Sequence, residues 1–394
     1  MERRSDVITY RHMSHSSKTP SHMISDTIAG LRDHQMLTAF LILSLPYYCT
    51  TALTLAKSRS VWVEQGLVRG QIYNVDGRQI QIFRGIPFAE PPVGNLRFAK
   101  PVKKSRWTQE LLAAEYGPPC IQFMVDLHRY DKFSAENMKQ QSEDCLYLNI
   151  FSLYDHEDES KISPVIVWIH GGSFLAGSAD TGIDMETVVR NIVLNGITFV
   201  SINYRLGPLG FINMQVGEKV EGNFGIWDQV MALQWIHENI KQFGGDPSKV
   251  TLMGESAGGA SCSLLALSPV TEGLAHRAII MSGSSTAGWA VHRHGIPAWS
   301  VENLAKYLRC EKSVNDKCLS EIIEGVQAEL VPCVMDAQTP REQMSCLRKS
   351  LNFSSAILRK SLTNELGVSK IVVDGELVPE FGAELVQKHA VFPS

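Results

Sequence analysis

Apolar positions along the chain fall into runs of two kinds. Val165–Ile169, Phe199–Asn203, Val250–Met253 and Ala278–Met281 are short and nearly continuous, as in strands buried on both faces. Between them, Trp227–Phe243 spaces its apolar residues at helical intervals, and residues 256 to about 267 are small and apolar enough for a buried helix. Strands alternating with helices predict a mostly parallel sheet covered by helices, an α/β fold. Upstream, two β-rich runs within Gly70–Phe83 flank Asp76-Gly77, which predicts a small hairpin closed by a type I′ turn. Gly85–Pro92 follows as a proline-broken loop. From about Trp299 to Leu366 the pattern turns helical, charged and cysteine-bearing, as in a peripheral insertion. No linker divides residues 61–394, so they are expected to form one domain.

The first 60 residues read differently, as a leader. Up to about Gln35 they are polar, rich in Ser and His, and lack an apolar period. Leu37–Leu45 is then almost wholly apolar. That is the length of a signal-peptide core and too short to span a bilayer. Extended over 37–56, the stretch reads as a signal anchor, with Pro46 against it. Both readings place the protein outside the cell, secreted or membrane-anchored. Eight cysteines among 394 residues suit an oxidising compartment. Asn352-Phe-Ser354 is a glycosylation sequon if the chain is secreted. With 44% apolar and 20% charged residues the chain has ample material for a core. Its net charge of -4 gives no reason to expect nucleic acid as a partner. No metal site or cofactor is expected, and oligomeric state is not legible.

Two motifs carry chemistry. Gly254-Glu-Ser-Ala-Gly258 follows a predicted strand and opens a predicted helix, the setting a G-x-S-x-G nucleophile elbow needs. Such a turn leaves no room for neighbouring Cβ atoms and lifts Ser256 Oγ above a helix N-terminus, where the dipole favours negative charge. His170-Gly-Gly-Ser-Phe174 ends the Val165–Ile169 strand and offers backbone N–H groups to an oxyanion.

The chain resembles the type-B carboxylesterase/cholinesterase-like family, of α/β-hydrolase fold, from about Val63 onward. The resemblance is carried by Phe83–Pro92, Ser142–Asn149, Asn203–Phe211, Gly222–Gln229, Phe243–Pro247, the Gly254–Gly259 elbow and Met281–Gly283. It implies a serine carboxylic ester hydrolase in which Ser256 is the catalytic nucleophile. The amides of Gly172, Ser173 and Ala257 then form the oxyanion hole. Position 173 is Gly in many members, and its side chain here is expected to narrow the acyl side. The resemblance also implies a Cys120–Cys145 disulfide and a second bridge from Cys310. The partner of Cys310 is Cys318, or Cys346 if Cys318 pairs with Cys333. At the position of the choline-binding aromatic stands Ala135, and no Trp lies between Cys120 and Cys145. Neutral small-molecule esters are therefore expected as substrate, not quaternary ammonium esters.

A serine nucleophile needs a base, and in this fold the order is Ser, then Asp/Glu, then His. The family's Val-Asp-Gly segment appears as Val373-Asp-Gly375, and the sequence reaches Ser394 before the acid-bearing strand. The acid and histidine of the triad are therefore expected to be absent from this chain, along with the last strands of the sheet. His276, His292 and His294 read as structural or surface residues, and Glu384 and His389 lie on a helical pattern ahead of the missing strand. Impaired turnover follows as an expectation. The alternative is a non-catalytic, cholinesterase-like adhesion or binding protein.

Overall fold

In the computed structural model, residues 54–122, 140–155, 158, 161–180, 184–216, 219–292, 371–372, 374 and 376–378 are described. Contacts divide the chain into two units, residues 1–51 and 52–394. The first lies wholly outside the described residues, as do residues 37–53 of the expected leader segment.

The centre of the second unit is a sheet ordered β1-β2-β3-β5-β7-β6-β10-β11, with β4 beside β2. The strands are β1 (Thr54–Val63), β2 (Gly66–Val75), β3 (Arg78–Pro87), β4 (Leu111–Leu112), β5 (Tyr147–Leu153), β6 (Ser163–Ile169), β7 (Thr198–Ile202), β10 (Gly245–Glu255) and β11 (Arg277–Met281). Two small ribbons lie apart: β8 (Met214–Val216) with β9 (Lys219–Glu221), and β12 (Val291–His292) with β13 (Ile371–Val372). The pairs β7/β6, β6/β10 and β10/β11 are parallel, whereas every pair from β1 to β7 along the ordered sheet is antiparallel. The predicted hairpin is therefore no separate ribbon, because β3 pairs with β5 and joins the main sheet. Its turn is the expected one: Asp76 and Gly77 both have positive φ, 51° and 78°. The ladder also reaches back to Thr54, which pairs with Asn74, so β1 takes in residues 54–60 of the segment read as leader.

The inner parallel strands are largely apolar and buried; all five residues of β7 are buried. Helix Phe224–Asn239 is buried on most of its circumference and drives Trp235 into the core. There Phe243 packs edge-on against Phe83, with ring centroids 4.8 Å apart. Asp184 caps helix Met185–Asn191, accepting hydrogen bonds from the Glu186 and Thr187 amides. Gly196, at φ 83°, ends the 3-10 turn that follows.

A charge pair lies inside this core. Arg205 and Asp228 have side chains 3% and 0% exposed. The guanidinium donates to both carboxylate oxygens, Nε to Oδ2 at 2.8 Å and Nη2 to Oδ1 at 2.7 Å. Asp228 Oδ2 also accepts the Arg205 backbone N–H at 3.0 Å. At the other extreme stands β11, the edge of the sheet. Among the described residues it has no partner on its outer side, and Ile279 and Ile280 are 43% and 44% exposed. No helix among the described residues is long and apolar enough to cross a membrane.

Candidate active site

β10 ends at Glu255 and helix Ala257–Leu265 begins two residues later, leaving Ser256 alone in the turn. Its backbone sits at φ 55° and ψ -119°, a conformation that costs an L-residue roughly 1–3 kcal/mol. The turn persists because it is held from both sides: Ser256 N–H donates to Met281 O at 2.8 Å, and Ser256 O accepts from Ala260 N–H at 2.9 Å. Gly258 shows why the motif needs its glycines. A Cβ there would lie 2.0 Å from Ile169 O and 2.8 Å from His170 O, both backbone atoms that cannot yield. The helix thereby packs directly onto the end of β6, and its first N–H groups, Ala257 among them, have no partner within the helix.

Beside Ser256 runs the loop that leaves β6. A Cβ on Gly171 would come within 3.2 Å of Ser256 Cβ, so the loop lies against the serine. Gly172, Ser173 and Phe174 then all take positive φ, at 106°, 58° and 59°. Ser173 is exposed, while Phe174 is fully buried against Phe211, with ring centroids 4.8 Å apart. Gly172 O accepts from the Leu175 and Ala176 amides at 2.9 and 3.1 Å, and Phe174 O accepts from Gly207 N–H at 2.7 Å. Farther along, Asn203 Oδ1 accepts from Ala179 N–H at 2.8 Å, while Asn203 Nδ2 donates to Pro118 O at 3.1 Å.

His170 is 2% exposed and stacks on Tyr204, with ring centroids 4.4 Å apart. Its Nδ1 lies 2.8 Å from Gly171 O, and the Tyr204 hydroxyl donates to His170 O at 2.8 Å. Burial lowers its pKa from 6.5 to about 4, so the ring is neutral at physiological pH and Nδ1 carries the proton that Gly171 O accepts. An unfolded His170 takes up a proton near its ordinary value, while the folded one refuses it until about 4. Its contribution to stability is therefore full above pH 6.5, falls as the pH drops, and levels off near pH 4. The total is about 3 kcal/mol. In His170→Gln the loss of stability between pH 6.5 and 4, followed by denaturant unfolding, should be smaller than in the wild type by about that amount. An unchanged slope would mean that the imidazole already exchanges protons in the folded state.

The other expected residues divide plainly. Cys120 and Cys145 are bridged. Cys262, behind Ser256 in its helix, is a free buried thiol whose pKa burial pushes up to about 12, so it stays protonated. His276 meets Val250 N–H through Nδ1 at 3.2 Å, level with the middle of β10 and away from Ser256. His237 belongs to helix Phe224–Asn239, and the backbone of His292 to β12. Cys310, Cys318, Cys333, Cys346, Asn352, Ala135, His294, Glu384 and His389 lie outside the described residues. Among the described residues, Ser256 Oγ has no hydrogen-bond partner. No group of three or more His, Cys, Asp or Glu among them is placed to hold a metal ion. A cavity of about 430 Å³, walled by Arg59, Arg78, Gln81, Tyr154, Lys161 and Lys241, opens at the opposite ends of the strands and is not part of these surroundings. Sequence reasoning missed Gln122 and Asn203 as supports of the loop, because nothing in a single sequence separates a buried amide from a surface one.

Comparisons with known proteins agree with this architecture. The chain is 39% identical over 283 residues to the medium-chain fatty acyl-CoA hydrolase precursor of Anas platyrhynchos, covering 70% of this chain and 49% of the relative. It is 40% identical over 247 residues to acetylcholinesterase 1 of Caenorhabditis elegans, covering 61% of this chain and 38% of the relative. Acetylcholinesterase of Leptinotarsa decemlineata is 39% identical over 243 residues, 57% of this chain and 38% of its own length. The chain thus spans half or less of the length of these relatives. The carboxylesterase family matches residues 57–393. With the α/β-hydrolase sheet and a match over most of its length, the chain belongs to the carboxylesterase family.

Proposed function

We propose that this chain carries the nucleophile and oxyanion half of a serine carboxylic ester hydrolase. The observation that carries the reading is Ser256 itself: a half-buried serine in a strained, glycine-walled turn, lying against the loop that leaves β6. Ser256 Oγ attacks the ester carbonyl carbon, and the carbonyl oxygen becomes an oxyanion. The amides of Gly172, Ser173 and Ala257 stabilise that charge as it develops. The Ser256 proton passes through a base to the leaving oxygen, which departs as the alcohol, and water then hydrolyses the acyl-enzyme. Only backbone N–H groups are asked of the oxyanion hole, so the side chain of Ser173 changes the shape of the acyl side and leaves the donors in place.

Neutral esters are the proposed substrates, since the chain has no Trp between Cys120 and Cys145 to meet a quaternary ammonium group. The Cys120–Cys145 bridge supports an extracellular or membrane-anchored location. Impaired turnover is proposed for the 394-residue polypeptide taken alone, because no described imidazole reaches Ser256. A purely adhesive role has no physical need for a strained serine at 256, which favours the enzymatic reading. A longer version, extended with the acid- and histidine-bearing region of a relative, should be labelled by a fluorophosphonate at Ser256, and Ser256→Ala should remove the label. Label that survives Ser256→Ala, or a folded extended protein that stays unlabelled, ends the esterase reading.

A further inference from the structure

Three consecutive positive φ angles, two of them on non-glycine residues, persist only where surrounding contacts over-determine them. The loop Gly171–Gly177 that contains them is held at its start by His170 and in its middle by the buried Phe174 ring. Its far end is Gly177, and there a single side chain holds it. Gln122 Oε1 accepts from Gly177 N–H at 2.7 Å, and Gln122 Nε2 donates to Gly177 O at 2.8 Å. These two bonds reproduce on one carboxamide the pairing that a neighbouring strand supplies. Nε2 also donates to Cys120 O at 3.0 Å, and Gln122 N–H donates to Gln141 Oε1 at 2.9 Å. The residue is 1% exposed. Behind Gly177 there is no slack, since a Cβ there would lie 2.3 Å from His170 Nδ1. Gly177 is therefore pinned between the imidazole and the carboxamide.

We propose that Gln122 is a positioning residue: its carboxamide, anchored beside the Cys120–Cys145 bridge, fixes the loop that presents the Gly172 and Ser173 amides to Ser256. The functional half of this proposal rests on the esterase reading, and the clamp itself does not. A donor and an acceptor are needed side by side. An ionised Glu offers only acceptors and sets a negative charge against the carbonyls of Gly177 and Cys120, while a protonated Glu restores one donor. Met offers neither.

Hydrogen exchange at the Leu175, Ala176 and Gly177 amides of the 394-residue chain is the direct test. In Gln122→Met these amides should exchange roughly 10–100-fold faster than in the wild type, with the β6 and β7 amides unchanged. Gln122→Glu should match that loss at pH 8 and recover toward wild-type protection at pH 5, once both sets are corrected for the intrinsic pH dependence of exchange. A general packing defect shows no such pH recovery. In the extended version whose Ser256 is labelled, the ratio of Gln122→Glu to wild-type labelling rates should lie near 0.01–0.1 at pH 8 and rise at pH 5, a displaced donor costing about 100-fold. Wild-type exchange at all three amides in both variants overturns the clamp. Lost protection with unchanged labelling overturns the positioning role. Label that survives Ser256→Ala overturns the esterase reading while leaving the exchange result to judge the clamp.

Discussion

The 394-residue polypeptide, made as it stands, should react with a fluorophosphonate at Ser256 at least about 10³-fold more slowly than a complete serine esterase. In that reaction Ser256 Oγ bonds to phosphorus, fluoride leaves, and the hydroxyl proton must pass to a base. None of the described histidine side chains can receive it. His170 spends its Nδ1 proton on Gly171 O and is closed off from solvent. His276 stands level with Val250, six residues before the serine along the strand and roughly 20 Å away at strand rise. His237 lies in a different helix. A hydroxyl that keeps its proton is a weak nucleophile, whatever donors await the oxyanion. Mass spectrometry over a time course measures the rate. Fast labelling that Ser256→Ala abolishes would place a base among the residues not described, and His389→Ala would be the next variant to measure.

Asp228→Ala should destabilise the fold by about 3–5 kcal/mol, as removal of one partner from a buried pair leaves the other charge unpaired. Arg205 is 3% exposed and would keep only its bond to Ala99 O, 2.8 Å from Nη2, among those described for its guanidinium. Pairing Asp228→Leu with Arg205→Met should recover part of the loss, because an apolar pair removes the stranded charge. The effect reaches the site through the chain. Arg205 follows Tyr204, whose hydroxyl supports His170, and precedes Gly207, whose N–H holds Phe174 O. An unfolding free energy from denaturant titration within about 1 kcal/mol of the wild type for Asp228→Ala would show that water reaches the guanidinium in the folded state.

Much of this was legible before any coordinates. The apolar runs at 165–169, 199–203, 250–253 and 278–281 fall on β6, β7, β10 and β11; β7 is buried throughout, whereas the run on β11 stands exposed at the edge of the described sheet. Asp76-Gly77 announced its turn because two consecutive positive φ angles suit few residue pairs. The tight turn at Ser256 is legible through its glycines, which record close backbone approach. Hidden from the sequence were contacts between distant segments: Gln122 meeting Gly177, Asn203 meeting Pro118, Arg205 meeting Asp228. β1 was hidden for another reason. Thr54–Val63 mixes Lys, Arg and Ser with apolar residues, because it is an edge strand with one face in water, and the apolar stretch before it drew the boundary too late.

The two halves of the site are assembled by different routes. The turn at Ser256 is made by β10, Gly258 and the end of β6, and none of these needs a cysteine. The neighbouring loop leans on Gln122, which hangs two residues from Cys120, and Cys120 is tied to a partner 25 residues away. Collapse of the chain completes the first half, whereas the second waits on an oxidant. In a bacterial cytosol, kept reducing by its thiol pool, the protein should accumulate with its serine in place and its neighbouring loop slack. Export to the periplasm or the endoplasmic reticulum would set that loop. The choice of expression host thus decides what fraction of otherwise identical molecules has that loop set against its serine.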